Sequence, residues 1–391
     1  MARPAAAKTR RTEITHEPYI MKESKTFLTR SPGRINLIGE HTDYNNGFVL
    51  PAAIDKAAYV SMKLRDDEEI HLRSRDYNDT HETTLSTISR SEKGWPNYLL
   101  GVVDQIKQTG VKLTGFEVEL WGDIPAGAGL SSSAAVECAM LIALNEAFGL
   151  KMDRMEMART AQRAEHAFAG VKVGIMDMFA SLFGKEGHVV RLDCRSLEYE
   201  YVPFKTDGYQ LVLCDTGVHH SLASSEYNVR RHQCEAGVAL VKAHHPEVES
   251  LRDVTMAMLD EWVKPQDELV YRRCKYVVEE NERLIQACED LERNDLHAFG
   301  AKIYETHEGL SHLYEVSCLE LDFLVAQARK YPAVLGARMM GGGFGGCTIN
   351  LVKESEVTQW CAEMTKAYKQ DLNKDLKTYI ARIGNGGGVI K

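Results

Sequence analysis

No Cys-x-x-Cys pair occurs in the 391 residues, and the nine cysteines, an odd number, are scattered from Cys138 to Cys361. That spacing speaks against a zinc cluster or a disulfide framework and fits a reducing compartment. No segment reaches the ~18 uninterrupted apolar residues of a membrane span. The basic, Ala-rich residues 1–12 hold no apolar run long enough for a secretory signal. Excess positive charge is missing too: the formal net charge is −9, the reverse of the basic stripe of a nucleic-acid binder. No Gly-Lys-Ser/Thr follows a glycine loop, which sets aside a Walker-type phosphate site. No internal repeat is visible. A soluble, cytoplasmic enzyme without nucleic-acid or membrane partners, working as a monomer, is the expectation.

What is present is ordinary globular material, 44% hydrophobic and 26% charged, long enough for two or three domains. Residues 1–20 have weak periodicity and read as a mobile tail. Strand-like runs follow at Phe27–Leu28, Ile35–Ile38, Phe48–Leu50, Ala57–Leu64 and Gly115–Leu120. Helical periodicity marks Trp95–Gln108 and Ser133–Ala147. It also marks a segment capped by Asp153 that runs to about Phe168, and another opening near Gly174. His188–Leu192 and Leu211–Cys214 read as strands, with the polar stretch Asp193–Gly208 between them as the candidate domain boundary. Beyond it, Ser224–His244, Leu269–Glu292, Asp295–Leu313, Cys318–Arg329 and Val357–Gln370 read as helices. Ala337–Gly346 reads as a glycine-rich loop, with strands at Thr348–Val352 and Leu376–Ile383. Strands without regular crossover helices imply an α+β fold, divided as a tail (1–20), an N-terminal domain (21–195) and a C-terminal domain (196–391).

Chemistry concentrates in three stretches. Ser31–Asp55 packs Arg34, Glu40, His41 and Asp43 between Gly33, Gly39 and Gly47, flanked by apolar runs. Glycines let the backbone approach a ligand closely, and Glu, His and Asp together offer acceptors and a switchable donor for polyol hydroxyls. A solvated, charged hairpin tip accounts for the same residues equally well. In Pro125–Ala135, Gly127 and Gly129 permit tight turns and Ser131, Ser132 and Ser133 open a helix. Free amides and the helix dipole make such a place an anion site, although a Ser-capped helix after a glycine turn has the same appearance. In Gly174–Ala180, Asp177 falls at a helix start, where the dipole favours a carboxylate. Arg163 and Lys172 are candidate partners for it.

The run Gly-Arg-Ile-Asn-Leu-Ile-Gly-Glu-His-Thr-Asp-Tyr resembles the signature of galactokinases, members of the GHMP family of small-molecule kinases. Pro125–Ala135 resembles the second motif of that family and matches it throughout. Gly174–Met178 resembles Gly-Ile-Met-Asp-Gln with Met178 in place of the amide. Ser225–Cys234 is similar to a galactokinase segment, and Met339–Cys347 to the third motif, with Met340 where Thr is common. The resemblance runs from about Phe27 to Ile383. It implies a two-lobed GHMP kinase fold with mixed β-sheets and an active site in the cleft between lobes. The implied reaction is ATP-dependent phosphorylation of α-D-galactose at its C1 hydroxyl, the first committed step of galactose metabolism by the Leloir route. Rival readings within the resemblance are an N-acetylgalactosamine or L-arabinose kinase, and a catalytically silent galactose sensor. It further implies that Arg34 and Asp177 flank the reacting hydroxyl and that Glu40, His41, Asp43, Gly174 and Tyr227 position the sugar. Gly127, Ala128, Gly129, Leu130, Ser131, Ser132 and Ser133 would wrap the nucleotide phosphates, and Ser133 and Glu165 would hold Mg²⁺. Glu165 as a plain helix-surface acid, and Trp95 as either an adenine neighbour or a core residue, stay open at this point. So does the choice between general base and orienting charge for Asp177.

Overall fold

The computed structural model describes residues 25–390 apart from 126, 171 and 219–222, so the tail expected over residues 1–20 lies outside the described residues. From Phe27 the chain alternates, with Phe27, Thr29 and Ser31 buried and Leu28 and Arg30 half-buried, the period of a strand. Strand β1 (Thr26–Asn36) thereby joins two runs that the sequence reading keeps apart. It is followed by β2 (Phe48–Val49) and β3 (Pro51–Leu64). Where β1 pairs antiparallel with β3, the step from Pro32 to Arg34 faces the longer step from Ala57 to Ala53. The irregularity bends the pair, as bulges do, and frees Ile54 to bridge Ile383 near the end of the chain. Gly33 sits in the bend because a Cβ there would meet the carbonyl oxygen of Leu130 at 2.7 Å.

Strands β4 (Glu69–Ser74) and β5 (Asp79–Thr84) escape the sequence reading because charged and hydroxyl side chains break up their apolar pattern. Helix α1 (Pro96–Gln108) starts on Pro96, whose missing amide proton costs nothing in the first turn. It is followed by β6 (Phe116–Gly122) and by α2 (Ser132–Phe148), an almost wholly buried helix that ends at the left-handed Gly149. Helix α3 (Arg154–Ala164) is capped by the Asp153 side chain, which accepts from the Glu156 amide, and runs into a wide turn at Glu165–Ala169. Helix α4 (Met176–Phe183) follows. Phe27, Val60 and Met62 of the strands share one core with Leu99, Val103, Cys138 and Leu141 of the helices.

Strand β7 (His188–Asp193) pairs with β8 (Tyr199–Pro203), so the stretch Asp193–Gly208 is not wholly irregular: a half-exposed strand lies inside it. The remainder runs β9 (Tyr209–Asp215), α5 (Ala223–Lys242), the single turn α6 (Met256–Met258), α7 (Glu268–Glu292), α8 (Leu296–Glu308) and α9 (Leu319–Ala328). It continues with β10 (Val334–Met339), β11 (Cys347–Lys353), α10 (Val357–Leu372), β12 (Lys377–Ala381) and β13 (Gly388–Val389). Residues Ala337–Met339, expected in the glycine-rich loop, are the buried end of β10. Their backbone continues the pairing with β11, Ala337 opposite Asn350 and Met339 opposite Thr348, before the glycines interrupt it.

The sheets have the orders β13–β1–β3–β6–β4–β5, β10–β11–β9–β12 and β2–β7–β8. All described pairs are antiparallel except β4 with β6, giving the expected α+β organisation. One core cluster spans both halves of the chain, packing Ile35, Leu37 and Leu50 with Leu213, Leu284 and Ile349. Among the described residues no helix is long and apolar enough to cross a membrane.

The hairpin between Ile38 and Phe48 depends on Gly39, which sits at φ +95° with a Cβ position 2.6 Å from the Phe48 carbonyl oxygen. Gly39→Ala therefore meets both left-handed strain and a backbone clash, and should cost roughly 1–3 kcal/mol. Thermal and urea unfolding of the variant measure that loss, and an unchanged melting temperature would contradict this account of the hairpin.

Candidate active site

At the end of β1 the bend turns Arg34 toward the glycine loop. Its backbone N–H donates to the Leu130 carbonyl at 3.0 Å, and its Nη1 donates to the Gly129 carbonyl at 2.6 Å. Nε donates to Asp177 Oδ1 at 2.7 Å, while Ser131 Oγ donates to Asp177 Oδ2 at 2.6 Å. Both oxygens of Asp177 are thus oriented from outside α4. Burial opposes the charge on Arg34, but Asp177 and Glu40 outweigh it and hold the guanidinium above its ordinary value. Of the partners anticipated for Asp177, Arg163 turns away and donates to Gln105 and Thr160, because it lies on the α3 face toward α1.

Arg34, Glu40, His41, Asp43, Gly174, Asp177 and Tyr227 all line one cavity of ≈ 300 Å³. Glu40 is 2% exposed and accepts from the Gly341 amide at 2.8 Å and from Arg338 Nη2 at 3.0 Å. His41 holds a left-handed backbone, φ 62°. Its Nε2 faces the Gly342 carbonyl at 3.2 Å and its Nδ1 faces the Tyr44 hydroxyl at 2.9 Å. Burial pushes the imidazole down to about 4, so it is neutral near pH 7. A carbonyl only accepts, which places the proton on Nε2 and makes Tyr44 the donor to Nδ1. Tyr44 in turn accepts from Tyr314 at 2.7 Å, and the Cys234 thiol lies 3.2 Å from Tyr314. The Tyr227 ring packs 5.3 Å from His41 and 5.2 Å from Tyr44, centroid to centroid. Burial first, then Asp177, pushes the Asp43 carboxyl up to about 7. A Cβ on Gly174 would collide with that carboxyl, so only glycine lets the two segments meet.

A second cavity of ≈ 390 Å³ opens beside the glycine loop, walled by Tyr77, Trp95, Tyr98 and Trp121 and floored by Ser132 and Ser133. Trp95 is both wall and core: it is 7% exposed and its indole N–H donates to Asp79 at 3.0 Å. Gly127 and Gly129 take φ of 74° and 71°, and Ser131 joins them at 55°. The side chains of Ala128 and Leu130 are buried in the shared core and anchor the loop. Ser131 occupies the cap position of α2, yet its hydroxyl does not cap the helix. Ser133 Oγ donates to Glu165 Oε1 at 3.1 Å.

Glu165 is 7% exposed; burial first, then Asp177, pushes its carboxyl up to about 7. A hydroxyl and a buried carboxylate short of positive charge fit a hard divalent cation. Among the described residues no cluster of three or more His, Cys, Asp or Glu is arranged to hold a metal, so any such ion draws its other oxygens from elsewhere. Met178 is fully buried among the core residues and stands away from both cavities.

Arg338, Tyr44 and Tyr314 support the site and were not anticipated. No local pattern marks Arg338 or Tyr314, whereas Tyr44 closes the run Gly33–Tyr44 without a role having been read for it.

Three family descriptions match the chain: the GHMP kinases N terminal domain over residues 97–185, the galactokinase galactose-binding signature over 16–64, and the GHMP kinases C terminal domain over 287–370. A galactokinase of Thermotoga maritima is 40% identical over 347 residues, covering 89% of this chain and 95% of its own. One of a Roseiflexus species is 38% identical, covering 92% of each chain. The crystal structure of Lactococcus lactis galactokinase complexed with galactose superposes with a TM-score of 0.90 at 34% identity, covering 94% of this chain and 95% of its own. Methanococcus jannaschii mevalonate kinase shares the fold at 18% identity, with a TM-score of 0.65 over 93% of this chain and all of its own.

Asp43 and Glu165, each raised to about 7, bind protons in the folded state that the unfolded chain releases near pH 4. Their neutral forms are the ones folding favours, so stability present below pH 4 is lost progressively as pH rises through 7. The unliganded protein should melt several degrees lower at pH 8 than at pH 6, and Asp43→Asn should flatten part of that slope. A pH-independent melting temperature across this window would refute the assignment.

Proposed function

This chain belongs to the galactokinase family of GHMP kinases, and from that premise we propose that it transfers the γ-phosphoryl group of ATP to the C1 hydroxyl of α-D-galactose, giving α-D-galactose 1-phosphate and ADP. The observation that carries the reading is the Arg34–Asp177–Ser131 contact, which joins the polar cavity to the glycine loop. In it the acid that would face the sugar hydroxyl meets the guanidinium and hydroxyl that tie it to the glycine loop. The contact also favours an enzyme over a silent sugar sensor, which has no need to couple the two cavities.

In this reading the sugar occupies the cavity of Glu40, His41, Asp43, Gly174 and Tyr227, with its hydroxyls facing Asp43 and Asp177. The phosphates lie against Gly127–Ser133, and the base stacks in the aromatic cavity of Tyr77, Trp95 and Trp121. Ser133 and Glu165 would hold Mg²⁺, which when bound would neutralise phosphate charge. Phosphoryl transfer passes through a loose transition state in which positioning and charge stabilisation do most of the work. Arg34 contributes both, because its fork spans Asp177 and the Gly129 carbonyl. Asp177 orients the C1 hydroxyl and accepts its proton late, as the oxygen–phosphorus bond forms. We take residues 21–195 and 196–391 as the two lobes, and the protein as a cytoplasmic monomer. The nine free cysteines are consistent with that compartment.

Two experiments test this reading. Purified protein with Mg·ATP should phosphorylate galactose far faster than glucose, because an epimer leaves buried polar groups unpaired. Comparable kcat/KM for the two sugars would overturn the assignment. At the reacting centre, Asp177→Asn should lower kcat by about 10²–10⁴-fold with little change in galactose affinity. Ser131→Gly, which keeps the left-handed backbone and removes only the hydroxyl, should lower kcat less and leave both KM values nearly unchanged. Wild-type turnover in both variants would remove this pair from the mechanism.

A further inference from the structure

The described buried carboxylates other than Glu137 all have partners. Glu40 has Arg338 and Gly341, Glu165 has Ser133, Asp215 has the Gly217 amide, Glu280 has Gly39 and Thr306, and Asp290 has Arg293. Glu137 on α2 is 0% exposed, and neither of its oxygens has a hydrogen-bond partner among the described residues. A carboxyl taken out of water without a partner is costly, and an apolar residue of similar size would stabilise the helix packing better. Packing alone therefore does not account for it.

Its position does. Glu137 stands one helical turn after Ser133, on the same face of α2. Helical side chains slope back toward the N-terminus, which carries this carboxyl toward the Ser133–Glu165 contact. Burial, then Glu165 and Asp177, holds its carboxyl well above the usual carboxylate range, so both acids are close enough for their charges to act on it.

We propose that Glu137 is a positioning residue of the cation end of the site, its carboxyl reaching through a bound water to the divalent ion held by Ser133 and Glu165. The inference rests on the reading of Ser133 and Glu165 given above. It explains why an acid without a partner among the described residues sits in the otherwise apolar stretch Ala134–Leu144 of α2: it acquires its partner only when the ion arrives with the nucleotide.

The probe is Mn²⁺ with a non-hydrolysable ATP analogue, titrated by electron paramagnetic resonance against the full chain. Glu137→Gln and Glu137→Met should each bind Mn²⁺ about tenfold or more weakly, the usual cost of losing a group that supports a metal ligand. Galactose affinity by calorimetry should be unchanged, and unliganded Glu137→Met should melt at or above the parent. Should the methionine variant fail to fold, the nearly isosteric glutamine variant decides. Parental Mn²⁺ affinity in the Glu137 variants, with Glu165→Gln weakened, overturns the role of Glu137 alone. Parental affinity in Glu165→Gln as well overturns the cation reading on which it rests. Equal loss of Mn²⁺ and galactose binding also overturns it, because Glu137 would then serve the packing of the core.

Discussion

A fully buried guanidinium holds the loop after β1 in place. Arg338, at 0% exposure in β10, donates to the carbonyls of Asn36, Leu37 and Met339 and to the carboxylate of Glu40. Desolvating such an ion costs several kcal/mol, and the arrangement persists because most of its donors are used and the facing carboxylate neutralises it. Three of its acceptors belong to the segment that carries the polar cavity, so a strand from the second half of the chain shapes a loop from the first. Glu280 of α7 grips the same segment from another side, accepting from the Gly39 amide at 2.8 Å. Neither end of that loop is free to choose its own conformation.

The same arrangement shows what could and could not be seen in the linear chain. Arg34, Glu40, His41 and Asp43 lie within ten residues, and their density beside glycines announces a site before any fold is known. The helices around it were legible because burial of one face imposes a period of 3.6 on Leu99, Val102, Val103 and Ile106. Arg338, Tyr314 and Glu280 carry no such trace. Each is a single residue in a distant element, and its role exists only once the chain has brought it within 3 Å or so of a backbone group. The hairpin of β4 and β5 was missed for a different reason: a sheet edge with one face in water has too few apolar residues to betray its period. Ser131 was placed in the phosphate loop from its neighbours, but nothing local indicated that its hydroxyl would leave the helix end and orient Asp177.

Charge is distributed unevenly between the two cavities. In the cavity lined by Arg34 and Tyr227, Glu40 is committed to Arg338 and His41 is neutral, which leaves Asp43 and Asp177 as acceptors. Beside the glycine loop, Glu165 sits with little compensation, next to a helix start whose dipole is positive. Hydrogen-bonding groups dominate one cavity, and a helix start facing a buried acid dominates the other.

The row Cys234–Tyr314–Tyr44–His41 gives the cavity at His41 a further property. Each group donates to the next in a single direction that ends on the Gly342 carbonyl, and none of the four is charged near neutral pH. Reversing the row would require several donors to turn together and would leave that carbonyl facing a lone pair. Hydrogen bonds between uncharged, buried groups are not screened by dissolved ions as exposed charges are. The walls of that cavity should therefore keep their shape from dilute buffer to brine.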